Sequence, residues 1–160
     1  YIIIKMVSIT SISKYTKIGE FLKSKLSTEQ GKITVFDGAS KSEVNISYYI
    51  NRIIEGIAKD KIYDWCMVVA LIYIKRIKES GIKITEYNIH RLILTSILLA
   101  VKYWDDNYKF SEEKYIYLSG VKDEKELTDL QMNFLTMIKW KLFIEKNDFD
   151  NMKLFYITIF

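Results

Sequence analysis

The chain has 160 residues, of which 49% are hydrophobic, 14% aromatic and 28% charged, a composition typical of one globular domain rather than a disordered segment. Its 24 lysines and arginines exceed its 20 aspartates and glutamates only slightly, and the net charge of +4 includes no run of five like charges, so nucleic acid is an unlikely partner. No apolar run approaches the roughly 20 residues that a membrane-spanning helix needs, and we expect no membrane partner.

The number of cysteines and the first residues of the chain indicate the cellular compartment of the protein. Cys66 is the single cysteine, so an internal disulfide is excluded and a reducing compartment, the cytoplasm and/or nucleus, is expected. The opening YIII is interrupted by Lys5 and is not followed by a small-residue cleavage site, so we expect no signal peptide.

The apolar spacing before residue 47 predicts one helix and one irregular connector. The helix covers residues 11–27, and the connector covers residues 28–46, which contain Gly31 and Gly38, with Phe36 as its anchor. The helix has four apolar residues at helical spacing: Tyr15, Ile18, Leu22 and Leu26.

Three longer helices follow. The first is capped by Ser47 and runs to Ala58. The second covers residues 62–79 and is ended by Gly81. The third is capped by Thr85 and reaches about Trp104. We expect the first helix to turn five residues inward: Tyr48, Ile50, Ile53, Ile54 and Ile57.

The remaining helices are shorter or more polar. Ser111 caps a short helix through Leu118, after which Gly120 breaks the chain. Asp123, with Glu126 three residues later, caps a helix that reaches about Trp140. A last short helix has these expected members: Asn147 as its cap, then Phe149, Met152 and Phe155.

The helices over 62–79 and 85–104 are apolar on every side. A helix of that kind must be wrapped by other helices, so these two form the centre of an all-α fold. The domain organisation we expect is an N-terminal helix and connector over 1–46, a five-helix unit over 47–145, and a short C-terminal helix or tail over 146–160.

Five segments, in order, resemble the successive helices of a cyclin box: YINRI at 49–53, LIYIKRI at 71–77, NIHRLILTSILLAVKYWDD at 88–106, YIYLSGV at 115–121, and ELTDLQMNFLTMIKWKL at 126–142. More narrowly, residues 36–145 are similar to the fungal phosphate-signalling (P-type) cyclins and their protozoan U-type relatives. The resemblance implies a single five-helix cyclin box with short flanking N- and C-terminal helices.

The resemblance also implies a function. Cyclins are regulatory subunits, not catalysts, and they use the third and fifth helices of the box to bind a cyclin-dependent protein kinase. They press on the small-lobe helix whose glutamate pairs with the ATP-positioning lysine, and so bind the active kinase conformation more tightly. We therefore expect a kinase partner, no cofactor and no small-molecule substrate, in cell-cycle or phosphate signalling.

Three residues stand at positions where this family contacts its kinase, and we expect these three and two neighbouring residues to form one exposed patch. Lys102 stands at the family's kinase-contacting lysine, followed by the aromatic Tyr103. Gln131 replaces the kinase-contacting glutamate, with Leu135 one turn later, and Trp140 matches a docking aromatic. Without the resemblance, Lys102 would be an ordinary surface lysine and Trp140 a core residue at a helix end.

Three departures from the family accompany these matches. Gln131 lacks the glutamate's charge, so a charge-assisted contact becomes neutral and weaker by about 1 kcal/mol. Lys75 replaces an aspartate that pairs with the arginine at Arg52, so Arg52 is expected to pair with Asp64 or Glu55 or to be exposed. Residues 51–54 also replace the Met-Arg-x-Ile-Leu substrate-docking patch, and docking through an Arg-x-Leu motif is not expected.

Other chemistry-bearing residues are interpreted as structural. His90, the only histidine, lies near a helix start, and together with Cys66 it is too little for a metal site. Cys66 and Trp65 are expected in the core. The alternative function is a cyclin-fold scaffold or transcription-type adaptor that binds a non-kinase partner, and the departures at Gln131 and Lys75 make it reasonable.

Overall fold

The structure is a computed structural model that describes residues 15–58, 64–107, 109 and 111–158. In these residues the chain is helical, with an isolated bridge between Ser27 and Thr85 as its only extended pairing. The predicted opening stretch, the start of the first helix at 11–14 and the start of the first core helix at 62–63 lie outside the described residues. The helices are α1 (described over 15–25), α2 (Ile46–Ala58), α3 (Asp64–Glu79), α4 (Ile89–Trp104), α5 (Glu112–Ser119), α6 (Glu124–Met137) and α7 (Lys146–Thr158).

The two central helices are α3 and α4, as the sequence predicts. Ten of the 16 residues of α3 and 11 of the 16 residues of α4 are buried, and the two helices pack on each other. Helices α2 and α6 both pack on α4 and on α5, and α7 packs on α3. The predicted all-α fold with two enclosed helices is confirmed.

The connector between α1 and α2 is anchored by Phe36. Its ring is fully buried and meets Phe134 of α6 edge to face, with the ring centroids 6.1 Å apart. Ahead of it, Tyr15, Ile18 and Leu22 of α1 are buried. The predicted anchor is therefore confirmed, and so is the predicted face of α1 as far as Leu22, whereas α1 ends at residue 25 and Leu26 lies beyond it, only partly buried.

The start of α2 differs from the prediction. Asn45, not Ser47, caps the helix, because its side-chain oxygen accepts from the backbone N–H groups of Ser47 at 2.8 Å and Tyr48 at 3.4 Å. Tyr48 is 61% exposed, and the adjacent Tyr49 is buried in its place. Tyr49 can be buried because its hydroxyl donates to the carbonyl of Ser119 at 3.2 Å.

The start of α4 also differs. The helix begins at Ile89, four residues after the predicted cap, because residues 85–88 form a turn in which the Asn88 side chain accepts from the N–H of Thr85 at 2.9 Å. Thr85 is 1% exposed, so it closes a buried turn and does not cap the helix.

The caps of α5 and α6 follow the sequence. The side chain of Ser111 accepts from the N–H of Lys114, and that of Asp123 accepts from the N–H of Glu126. Gly81 and Gly120 both have positive φ angles, 98° and 72°, which end α3 and α5 in the left-handed region that glycine tolerates. These boundaries were set by local chemistry, and all four residues were predicted correctly.

The predicted last helix is present, with Phe149 and Met152 packed against the core, but the end of α6 and the cap of the last helix differ from the prediction. Helix α6 ends at Met137 rather than near Trp140, because Lys139 and Trp140 have positive φ angles of 55° and 58° that no helix contains. Helix α7 begins at Lys146, so Asn147 lies inside it and is not its cap. Tyr156 is the residue that α7 buries, whereas the expected Phe155 is 39% exposed.

Candidate partner-binding site

Lys102 and Gln131 meet where α4 and α6 pack together. The ammonium of Lys102, in the last turn of α4, donates to the side-chain oxygen of Gln131 on α6 at 2.8 Å. The amide nitrogen of Gln131 donates in turn to the carbonyl of Leu127 at 3.1 Å, which fixes the orientation of the amide. Burial lowers the pKa of Lys102, and the charge of Glu112 partly opposes this. The hydrogen bond between Lys102 and Gln131 joins α4 to α6, and the Lys102 ammonium is partly desolvated at the surface.

Four exposed aromatic residues lie at the end of α4 and in the segment after α6, and we name them the aromatic seam: Tyr103, Trp104, Trp140 and Phe143. The rings of Tyr103 and Trp104 meet edge to face at 5.1 Å, and Trp104 faces Phe143 at 6.0 Å with an interplanar angle of 32°. Their exposed fractions are 45%, 37%, 59% and 59% in chain order. The seam therefore joins the end of α4 to the segment that follows α6.

The segment that carries Trp140 and Phe143 is tied to α3 by hydrogen bonds. Trp104 donates its indole N–H to the hydroxyl of Tyr73 at 3.0 Å, and that hydroxyl donates to the carbonyl of Leu142 at 2.8 Å. Burial raises the pKa of Tyr73 to about 12, so the hydroxyl stays protonated and remains a donor. Arg76 donates to the carbonyls of Lys141 and, at 3.0 Å, of Phe143. These bonds hold the seam in place although its rings are exposed.

The backbone of Trp140 explains why its ring lies at the surface. Its positive φ angle reverses the chain after α6, while its N–H still donates to the carbonyl of Leu135 at 2.8 Å. A helical continuation would have placed the ring elsewhere on α6. The turn brings Trp140 onto the same tied segment as Phe143.

The structure brings the five predicted contact residues to one region, but not as one exposed patch. Gln131 and Leu135 are each only 8% exposed, so the expectation of an exposed patch is wrong for both. Gln131 reaches the surface only through Lys102, and Leu135 packs in the core beside Phe134. The sequence interpretation missed Phe143, because its position depends on the turn at Lys139 and Trp140, which no local motif indicated.

Arg52 lies apart from this region, against aromatic rings. Its guanidinium carbon is 5.6 Å from the ring centroid of Tyr49 and 6.0 Å from that of Tyr48, which supplies cation–π contacts. Lys75, which replaces the family's aspartate, is exposed and pairs with Glu79 at 3.8 Å. The arginine at this position is thus packed on tyrosine rings, while the lysine faces solvent.

His90 and Trp65 occupy sites at the margin of the core. The Nε2 atom of His90, in the first turn of α4, lies 2.6 Å from the carbonyl of Val44, and its ring meets Tyr49 edge to face at 5.0 Å. Burial lowers the pKa of His90, and the bond to Val44 partly opposes this. Trp65 is partly buried against the core cluster, while Cys66 is fully buried and its Sγ lies 3.8 Å from the carbonyl of Ile97.

The described residues contain neither a metal-binding cluster nor a membrane-spanning helix. They contain no group of three or more histidine, cysteine, aspartate or glutamate side chains arranged to hold a metal ion. Among the helices of this part of the chain, none has the length and apolar character to cross a membrane.

Comparison with known proteins identifies the family. The Cyclin family model matches residues 3–142. Cyclin-U4-1 of Arabidopsis thaliana is 29% identical over 131 residues, which are 81% of this chain and 62% of that protein. Cyclin-U3-1 of the same plant is 35% identical over 118 residues, 73% of this chain and 51% of that protein. Cyclin-P3-1 of Oryza sativa subsp. japonica is 27% identical over 119 residues, 74% of this chain and 48% of that protein.

These relatives confirm the similarity to U-type and P-type cyclins that the sequence motifs indicate, and they are plant proteins. The chain spans between 48% and 62% of the length of these three relatives. With a family model that covers most of its length and an all-helical fold around two buried helices, the chain belongs to the cyclin family.

Proposed function

We propose that this chain is a regulatory cyclin that binds a cyclin-dependent protein kinase through the aromatic seam and Lys102. The observation that carries the proposal is a set of four exposed aromatic residues at the end of α4 and after α6, three of them in ring contact, together with Lys102, which Gln131 positions. The cyclin family membership of the chain supports a regulatory role.

The chemistry of the seam suits a protein interface. Aromatic side chains dominate interface energetics because they bury large apolar areas at a low entropic cost. The Tyr73 and Arg76 hydrogen bonds hold the seam before any partner arrives, so little ordering is needed on binding. Lys102 is already partly desolvated, which reduces the cost of burying it further under a partner.

Activation of the kinase follows from the linkage between cyclin binding and kinase conformation. A partner that binds the active conformation of a kinase more tightly than the inactive one shifts the population toward activity by that difference in affinity. We infer that the seam contacts the mobile helix of the kinase small lobe and stabilises the position in which its glutamate pairs with the ATP-positioning lysine. In this proposal the cyclin contributes no catalytic group.

The test compares seam variants with a matched control. The double variant Tyr103→Ala, Trp140→Ala should reduce kinase activity captured from the source cell at least about tenfold, since exposed interface aromatics are commonly worth more than 1 kcal/mol each. Helicity and melting should be unchanged, because both rings are exposed. Tyr117→Ala, at a ring that is 87% exposed on α5, is the control and should retain capture. Full capture by the double variant would show that the kinase binds elsewhere.

Leu135 is unsuitable for this test. It is only 8% exposed, and alanine there would remove core packing at a cost of about 2–5 kcal/mol. A loss of kinase capture by that variant would therefore report unfolding as readily as a lost contact.

The replacement of the family glutamate by Gln131 favours a second candidate function, a cyclin-fold adaptor for a non-kinase partner. The capture experiment separates the two: a seam-dependent partner with kinase activity supports the first, and a seam-dependent partner without it supports the second. We also propose an intracellular location, cytoplasm and/or nucleus, which fits the single buried thiol of Cys66. Fractionation of the source cell would test it.

A further inference from the structure

An apolar groove opens on the side of α3 that the seam does not use. It has a volume of about 510 Å³ and lies between α1, α3, the segment after α3, and α7. Leu22, Leu71 and Ile74 contribute to the lining and are almost fully buried, whereas Phe155 is 39% exposed. Phe21 and Phe155 meet edge to face at 5.2 Å and join α1 to α7 in this region.

The charged residues that line the groove are all lysines. Among the residues that the structure describes, Lys25, Lys75, Lys78 and Lys83 line it, and no aspartate or glutamate does. Two acids lie near: Glu79 is 3.8 Å from Lys75, and Glu29 is 3.2 Å from Lys83. Both pairs are solvent-exposed and therefore weak. The groove thus keeps a positive potential around an apolar floor.

The groove and the seam lie on opposite faces of α3. Successive residues of an α-helix are rotated by about 100° around its axis. On that scale, the four groove residues of α3 are centred about 180° from the midpoint of Tyr73 and Arg76, which hold the seam. The four residues are Leu71, Ile74, Lys75 and Lys78. A partner on the seam would leave the groove open. The groove is therefore a surface that kinase binding does not explain.

We propose that this groove docks an acidic amphipathic helix of a partner protein. An apolar face with residues at i, i+3, i+4 and i+7 fits a groove between helices, and flanking aspartates or glutamates match the lysine rim. The rim disfavours basic segments, because like charges across an interface oppose binding. The charge of the rim is what selects this partner over other apolar helices.

The probe is a fluorescein-labelled helical peptide of about 18 residues with leucines at that spacing and glutamates elsewhere. We expect saturable binding to the 160-residue chain that weakens as salt rises. Lys75→Glu with Lys78→Glu should weaken binding about tenfold or more, since two attractive contacts become repulsive. The same variant should bind a peptide with lysines in place of the glutamates more tightly than the unaltered chain does.

Two matched controls accompany the charge reversal. Lys109→Glu with Lys122→Glu makes the same change in net charge at exposed lysines that do not line the groove, and should leave binding unchanged. Phe155→Ala should weaken binding, whereas Leu154→Ala, at a neighbouring residue that is 63% exposed and outside the groove, should not. Circular dichroism confirms that each variant is folded.

Three outcomes would overturn the proposal. The acidic peptide could fail to bind, or bind equally well after the Lys75 and Lys78 reversal. It could also bind only when residues 1–14 are removed, which would assign the groove to the chain's own N-terminal segment rather than to a partner.

Discussion

At the scale of single residues, Gln131 decides how Lys102 is held. A neutral amide accepts the lysine's hydrogen bond where the family has a carboxylate, so only the donor is charged and the pair is not an ion pair. The position was predictable from the motif ELTDLQMNFL. Its burial was not, because the helical pattern does not say which side of α6 meets α4.

Gln131→Glu should restore the charge. Because a carboxylate next to an ammonium favours the charged form of both, the pKa of Lys102 should rise above its present lowered value. Kinase binding should tighten by about 1 kcal/mol, roughly fivefold, if the pair contacts the kinase. NMR titration of the Lys102 side chain and binding kinetics measure the two effects. Gln131→Leu is the control, which should weaken binding, and equal affinity for all three chains would remove the pair from the interface.

His90 should make stability depend on pH. Burial lowers its pKa below the ordinary value of about 6.5, so the folded state binds the proton less readily than the unfolded state. The contribution to stability is therefore complete above about pH 6.5 and is lost as the pH falls from there toward the lowered pKa. Urea unfolding at pH 7.5 and 5.5 should show a larger loss for the unaltered chain than for His90→Gln. An identical loss in both would assign the pH dependence to other groups.

At the scale of elements, the segment after α6 depends on α3 for its position. Arg76→Ala removes donors to the carbonyls of Lys141 and Phe143, which should cost about 1–2 kcal/mol in unfolding free energy. It should also weaken kinase capture without altering any seam residue. Arg76→Lys keeps the charge but not the two-pronged geometry, and should recover only part of the loss. Capture that is unaffected by Arg76→Ala would show that the seam does not need this support.

The elements also show where sequence reasoning succeeds. Ser111, Asp123 and the two glycines after α3 and α5 act within a few residues of themselves, so their roles were predictable. The choice of Asn45 over Ser47 as the cap of α2 was not, because both are good caps and Ser47 instead donates to the carbonyl of Thr16 at 3.1 Å. Long-range contacts decide between local options that are equal in energy.

The same limit applies to the candidate site. Tyr103 and Trp104 end a helix whose bounds were predictable, so their exposure next to Lys102 could be expected. Trp140 lies in a turn where it and Lys139 have positive φ angles although neither is a glycine, and Phe143 follows that turn. Such a turn is maintained by the Tyr73 and Arg76 bonds from another helix, and a pattern read along one segment does not contain that information.

At the scale of the whole molecule, α3 separates two surfaces of different character. The seam is aromatic and adjoins Lys102, which precedes Tyr103 in the chain, while the groove is aliphatic and aromatic with four lysines around it. Helix α3, with ten of its 16 residues buried, lies between them. Sites on a rigid element that share no residue should act additively.

This separation predicts independent binding. Lys75→Glu with Lys78→Glu should leave kinase capture unchanged, and Tyr103→Ala with Trp140→Ala should leave acidic-peptide binding unchanged. The quadruple variant should show both losses, each equal to that of its own pair within about 0.5 kcal/mol. Fluorescence anisotropy and kinase capture on the same four proteins measure this. A coupling larger than about 1 kcal/mol would mean that the two sites are not independent, either because one partner contacts both faces or because α3 shifts on binding.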